Sequence, residues 1–435
     1  MSRLVYAALA TIAAPALRVW LASRAGRGKE DPARLGERRG RTNLARPPGP
    51  LVWVHAASLG ETRSVMALDE RLVQSRPDLH VLFTTMTTSA AELIAERPPP
   101  NTIHQFVPLD VPRWVERFLD HWRPDAAIWT EAELWPNLIA ATGARGVPMA
   151  LVNARLSARS YSRWRRAKSF FPAPLDRFAP CLAQSEGDAD RLRALGATNA
   201  RYVGNLKYDG APLPADGEEL RRLVLLAGER PMWLAASTHP GEEEIVAGVH
   251  ATLAGRIPDL LTIVVPRHAR RGDEIAAMLA SRGLAVGRRT KGAVPGPQIA
   301  VYVADTMGEL GLFYRLARVA FIGGSLVPHG GQNPLEAVRL DCALVFGPHM
   351  ANFRDIADAL IAAGGALEVG DGATLATAVG RLIADPSEQA RRAAAAAGIA
   401  AEGRGAVERV FRELAPLLSA LSRAAGEPQA VHARA

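Results

Sequence analysis

The chain has 435 residues, 48% hydrophobic and 22% charged, with a mean hydropathy of +0.01. At ~150 residues per domain this length holds two or three domains, and the composition excludes both a mostly disordered chain and a polytopic membrane protein. Two cysteines, Cys181 and Cys342, exclude a disulfide framework and a cysteine-rich zinc site, while a net charge of +8 leaves nucleic acid, a membrane surface or an anionic substrate open as partners.

Position separates these partners. Residues 1–46 hold ten basic side chains and three acids, so they carry +7 and leave +1 for residues 47–435. A nearly neutral body argues against a nucleic-acid partner. Ahead of the basic residues lies an apolar stretch from Leu4 to Ala22 whose only charge is Arg18. At ~1.5 Å per helical residue, this stretch matches the thickness of a hydrocarbon core. A membrane anchor, a cleaved signal peptide and a buried helix all fit such a stretch. Its length and the lack of a small-x-small site favour an anchor, either spanning or lying in the interface. Eight basic residues follow the apolar run and one precedes it, which by the positive-inside rule places the body in the cytoplasm. The arginines after Ala22 are then expected on anionic headgroups. Pro15 and the many alanines favour a tilted, shallow anchor over a full span.

Pro47-Pro48-Gly49-Pro50 reads as a stiff linker. Strands are then expected at 51–55, 80–85, 103–107, 126–130, 149–152 and 181–184, with helices at 62–75, 88–96, 113–121 and 187–195. These strands are short continuous apolar runs, as in sheets buried on both faces, and their alternation with helices predicts a parallel α/β sheet. The turn-rich segment 205–216 reads as a hinge. Strands restart at 232–236, 260–265, 299–303, 318–322 and 343–346. The fold expected is α/β: an anchor and basic arm at 1–46, a Rossmann-like domain at 47–210 and a second at 211–425, facing across a cleft. Ligands in such sheets bind beyond the carboxyl ends of the strands.

The residues just after each strand are therefore the candidates. Glu61 follows the first strand in a small-residue turn that opens a helix. A first-turn acid there serves the helix dipole, or acts as a general base. Glu131 and Glu133 follow the strand at 126–130, where capping and aromatic packing compete with a catalytic role. The run 155–168 has six basic residues and no acid, suiting a solvated face or a lipid-phosphate surface. In the second half, Arg267 follows a strand and offers a planar fork to phosphate. The loop 323–337 carries four glycines before Asn333-Pro334-Leu335-Glu336, with Asn333 as the expected helix cap. A glycine loop feeding a helix start is a phosphate cradle, or else a plain tight turn. Asp188-Ala189-Asp190 opens a helix and reads as first-turn acids. Neither GxxxxGK[ST] nor GxGxxG after the first strand occurs, which argues against a P-loop ATPase and a dinucleotide dehydrogenase. No cofactor or metal is implied.

The segments HAASLGE (55–61), WTEAELWPN (129–137), LVNARLS (151–157), GNLKYD (204–209), ASTHPGEEE (236–244), VPRH (265–268), ADTMGELG (304–311), GGSLVPHGGQNPLEA (323–337) and GPHMANFRD (347–355) resemble the Kdo (3-deoxy-D-manno-octulosonic acid) transferases of lipopolysaccharide synthesis, in order over about 47–410. The resemblance implies a GT-B glycosyltransferase that moves Kdo from CMP-Kdo to a lipid A precursor of the lipid IVA type. It implies Glu61 as proton acceptor and transition-state roles for Glu131 and Lys207. It implies CMP contacts from Pro266, Arg267, Met307, Gly308, Glu309, Asn333, Pro334, Leu335 and Glu336. The partners implied are the donor, the lipid acceptor and an anionic inner-membrane surface. A GT-B transferase or epimerase using a UDP-sugar is the alternative.

Overall fold

The computed structural model describes residues 3–131, 134–167 and 174–424. The first unit carries strands β1 (Leu51–His55), β2 (His80–Thr85), β3 (Thr102–Phe106), β4 (Ala126–Thr130), β5 (Met149–Ala154), β6 (Phe178–Ala183) and β7 (Ala200–Tyr202). Its helices are α1 (Arg3–Gly26), α2 (Leu59–Ser75), α3 (Thr88–Glu96), α4 (Pro112–Trp122), α5 (Pro136–Ala144), α6 (Ala158–Ala167) and α7 (Glu186–Leu195). The second unit carries α8 (Gly217–Ala227), β8 (Met232–Thr238), α9 (Glu242–Ala254), β9 (Leu261–Pro266), α10 (Gly272–Ser281), β10 (Val286–Arg288), β11 (Val301–Val303), α11 (Leu310–Leu316) and β12 (Val319–Ile322). It continues with α12 (Leu335–Val338), β13 (Ala343–Phe346), α13 (Arg354–Ala362), β14 (Ala366–Glu368), α14 (Gly372–Ala384) and α15 (Pro386–Glu402). The last helix, α16 (Ala406–Ala424), belongs to the first unit.

Each unit is built on one seven-stranded sheet, ordered β3-β2-β1-β4-β5-β6-β7 and β10-β11-β9-β8-β12-β13-β14. The strand pairs are parallel in both. A parallel sheet needs helices on both faces, so its central strands are apolar throughout: all five residues of β1 and of β4 are buried. Strand order reverses at β1/β4 in the first sheet and at β8/β12 in the second. These two switch points open the crevices where α/β sheets take ligands.

The chain divides as 1–210 plus 403–435 against 211–402, which moves α16 out of the expected 211–425 domain. The reason is apolar packing: Val410, Leu414, Leu417, Leu418 and Leu421 join the core formed by α2 and β1. Asp209 then fixes the return, its carboxylate accepting N–H bonds from Gly405 and Val407 at the start of α16.

The basic arm also folds differently from expectation. Arg38 is buried rather than laid on headgroups. It pairs with Glu30 and donates to the carbonyls of Thr85, Val107 and Met86. Arg34 forks onto Glu37, and Arg46 reaches Asp125. Residues 30–46 are thus part of the first unit, and among the described side chains of the arm the exposed charges are Arg18, Arg27, Lys29 and Arg41. Helix α1 packs against α4 and α5. Tyr6, Ala10, Ala14, Leu17 and Leu21 recur at helical spacing on its covered side, while Leu4, Val5, Leu9, Ile12, Val19 and Trp20 are exposed. It is the one helix among the described residues long and apolar enough to cross a membrane.

Candidate active site

In the first unit the three expected catalytic residues come to one place, the switch point between β1 and β4. Ser58 caps α2 and puts Glu61 in its first turn. Glu61 is buried; its Oε2 accepts the Ala57 N–H at 2.9 Å and its Oε1 the Ser58 hydroxyl at 2.9 Å. The Thr130 hydroxyl lies 3.3 Å from the same Oε2 while donating to the His55 carbonyl at 2.8 Å. Capping and a catalytic position are therefore compatible here: the bonds that cap the helix also fix the carboxylate's direction.

Glu131 comes directly after Thr130 with a left-handed backbone, φ 55°. Such a conformation costs a non-glycine residue about 1–3 kcal/mol and is held where surrounding structure imposes it. Its Oε1 meets Lys207 Nζ at 2.7 Å, with the side chains 15% and 8% exposed. Two asparagines position that lysine. Asn205 Oδ1 accepts the Lys207 N–H at 3.0 Å, and Asn153 Oδ1, on β5, accepts the Leu206 N–H at 3.0 Å. Glu133 and Lys168 lie outside the described residues.

His55, in the same motif as Glu61, is not a proton carrier. Burial pushes it down to about 4. The Thr84 hydroxyl accepts the Trp53 Nε1–H at 2.8 Å and lies 2.9 Å from His55 Nδ1.

In the second unit the expected nucleotide residues lie at the ends of three strands: Pro266 and Arg267 at β9, Met307 to Glu309 after β11, and Asn333 to Glu336 after β12. Arg267 follows β9, its N–H bonded to the Thr238 carbonyl at 3.0 Å. Met307 is exposed and Gly308 has φ 80°, a left-handed turn. Glu309 is gripped by Arg289, which also binds Glu219, and by Thr306. The Arg289 bond is the main cause holding the Glu309 carboxyl below the usual carboxylate range. Pro266, Pro334 and Leu335 are buried, so Leu335 presents its side chain to the core; Glu336 is half-buried.

The phosphate cradle is corrected in two respects. Glu242, fully buried at the start of α9, accepts the N–H groups of His239, Gly324, Ser325 and Leu326. The glycine loop's first amides are thereby committed to this carboxylate. Helix α12 is a single turn of four residues, with Asn333 Oδ1 taking the Leu335 N–H at 3.1 Å. It carries little dipole of its own. The early glycines serve close approach instead: a Cβ on Gly323 would sit 2.4 Å from the Ser237 carbonyl oxygen, where β8 and β12 meet.

Sequence reasoning missed Thr130, Asn153, Arg289 and the role of Glu242. Asn153 and Glu242 stood inside quoted motifs, so a signal existed. Arg289 lies in no motif and gave none.

Two Rossmann-like units, each with polar side chains at the carboxyl ends of its central strands, form the GT-B architecture. A solved glycosyltransferase from Rickettsia africae shares this fold, with a TM-score of 0.57 over 88% of this chain and all of that one, at 11% identity. The 3-deoxy-D-manno-octulosonic-acid transferase (kdotransferase) family model matches residues 33–210. The 3-deoxy-D-manno-octulosonic acid transferase of Haemophilus influenzae is 35% identical over 426 residues, 96% of this chain and 99% of that one. The Bordetella pertussis protein of the same name is 39% identical over 434 residues, 95% and 99% of the two chains. The chain belongs to the Kdo transferase family, and its activity is Kdo transfer.

Proposed function

We propose that the chain moves Kdo from CMP-Kdo to a glucosamine hydroxyl of a lipid A precursor, without a metal ion, at the cytoplasmic face of the inner membrane. One observation carries this reading: Glu61 and the Glu131–Lys207 pair converge on the β1/β4 switch point.

Glu61 is the general base. As the acceptor oxygen attacks the anomeric carbon of Kdo, its proton passes to a Glu61 carboxylate oxygen. The bond from that carbon to the phosphate oxygen breaks, and its electron pair leaves with CMP. Hydrogen bonds from Ala57 and Ser58 hold the base in place but weaken it. Lys207, steered by Glu131, faces the sugar's carboxylate as charge redistributes at the neighbouring anomeric carbon. Arg267 takes the phosphate as a planar fork. Pro266, the Met307-Gly308-Glu309 turn and Asn333 to Glu336 frame the nucleotide.

The acceptor side rests on α1. Tyr6 hydrogen-bonds the Asp110 carboxylate, which also accepts N–H bonds from Asn137 and Leu138 at the start of α5. A lipid held along α1 is delivered toward Glu131 in this reading. With one flank covered by protein and the other apolar, α1 suits an in-plane position in the interface. Arg163, Arg165 and Arg166 of α6 are exposed and suit an anionic leaflet or the acceptor's phosphates.

Ligand-induced thermal shift of the detergent-solubilised chain tests the donor. CMP raises the melting temperature, UDP does not, and Arg267→Ala removes the CMP effect. Stabilisation by UDP alone overturns the reading.

A further inference from the structure

The second unit's switch point holds more titratable side chains than the nucleotide contacts proposed above. His239 follows β8, Arg267 and His268 follow β9, Arg271 sits before α10, and His329 projects from the loop after β12. The rings of His239 and His329 stack, with centroids 4.2 Å apart and planes at 24°. Gly324, at φ 69°, leaves room for this: a Cβ there would lie 3.1 Å from His239 Cδ2.

The inner ring is neutral. Gln332 Nε2 lies 3.0 Å from His239 Nε2; an amide NH2 only donates, so that ring nitrogen accepts and the proton sits on Nδ1. Burial chiefly, then the charges of His329, Arg267, His268 and Arg271, hold His239 down to about 4. The carboxylates facing the pair, both from α9, are committed. Glu242 serves four backbone N–H groups, including that of His239, and Glu243 serves Arg271 and Thr238. The surroundings repel a proton from the inner ring and attract an anion to the outer one.

Resting on the CMP reading of this site, we propose that the stacked pair is a one-proton receptor for the donor's phosphate. His329 carries a proton when a phosphate monoester dianion docks beside Arg267, and neutral His239 supports its ring from beneath. Two stacked rings this close cannot both be charged, so the stoichiometry is one. The bound imidazolium gives a charge-assisted hydrogen bond to the phosphate. During transfer it faces the oxygen on which the breaking bond leaves its electron pair. His329 is then a catalytic residue that touches the donor, and His239 a positioning residue.

Calorimetry of the full chain in detergent at pH 7.5, repeated in buffers of different ionisation enthalpy, tests this. At this pH CMP is mainly the dianion, since a phosphate monoester's second pKa is about 6. We expect measurable net proton uptake per CMP bound, as a nearby anion favours the charged form of an imidazole. Cytidine, lacking the phosphate, takes up none, and His329→Asn cuts the uptake with CMP at least severalfold. CMP binding with buffer-independent enthalpy overturns the proposal. So does equal uptake with cytidine, or undiminished uptake in His329→Asn. If that variant binds no CMP, the cytidine and wild-type comparison decides. Failure of CMP to bind the wild type sinks the donor reading itself, a result distinct from binding without uptake.

Discussion

Lys207 Nζ and Glu131 Oε1 lie 2.7 Å apart, in a pair largely withdrawn from water. Each charge depends on the other, because removing one partner of a buried pair leaves the remaining charge uncompensated at a cost of about 3–5 kcal/mol. Lys207→Ala is therefore expected to lower the melting temperature as well as to cut turnover at least a hundredfold. Lys207→Ala combined with Glu131→Gln should recover stability without recovering activity. Recovery of both would show that the pair is only structural.

Glu242 joins the turn after β8 to the glycine loop after β12 through four accepted hydrogen bonds. Glu242→Gln puts an NH2 group against backbone donors. An unsatisfied buried group costs about 1–3 kcal/mol, so the variant should unfold at lower denaturant and bind CMP at least tenfold more weakly. Unchanged denaturant midpoint and CMP affinity would contradict the assigned role.

Asp69, on α2, is buried, with Thr102 as its side-chain donor at 3.1 Å. Burial pushes its carboxyl up to about 7. Between the unfolded value near 4 and about 7, the folded chain retains a proton that the unfolded chain has lost. Stability contributed by this group therefore falls as pH rises through that window. Asp69→Asn should melt above the wild type at pH 8, with the gap closing at pH 5. A gap of equal size at both values would remove Asp69 as its source.

The exposed side of α1 presents Leu9 and Ile12. Replacing both with Asp should release the chain from vesicles rich in anionic lipid while leaving CMP binding intact. Retention on the vesicles would assign membrane association to another surface.

The two-sheet architecture was legible because strands buried on both faces are continuous apolar runs. Ten of those runs recur within a few residues of their expected ends, and β6 begins three residues earlier than expected. The three-residue strands β7, β10 and β14 carry no pattern to read. The return of α16 to the first sheet was hidden because periodicity shows that a helix has an apolar face but not which core receives it. Arg38 shows the same gap for charge: a basic run reads as exposed, and only the carbonyls of Thr85, Met86 and Val107 reveal a buried fork. The candidate catalytic residues were nominated by the rule that chemistry follows strands and by their motifs. Their supports, Asn153 and Thr130, stood in quoted motifs, but their partners, the Leu206 N–H for Asn153 and the His55 carbonyl and Glu61 for Thr130, are far away in sequence and came into view only with the fold.

The most direct test is turnover with CMP-Kdo and a tetraacylated lipid A precursor, followed by mass spectrometry of the lipid, for wild type and Glu61→Ala. The wild type should add Kdo to the lipid, with the same yield in EDTA. Glu61→Ala should add none while still binding CMP. No Kdo adduct from the wild type would contradict the proposed donor–acceptor pair, and Glu61→Ala turnover within tenfold of wild type would contradict Glu61 as the base.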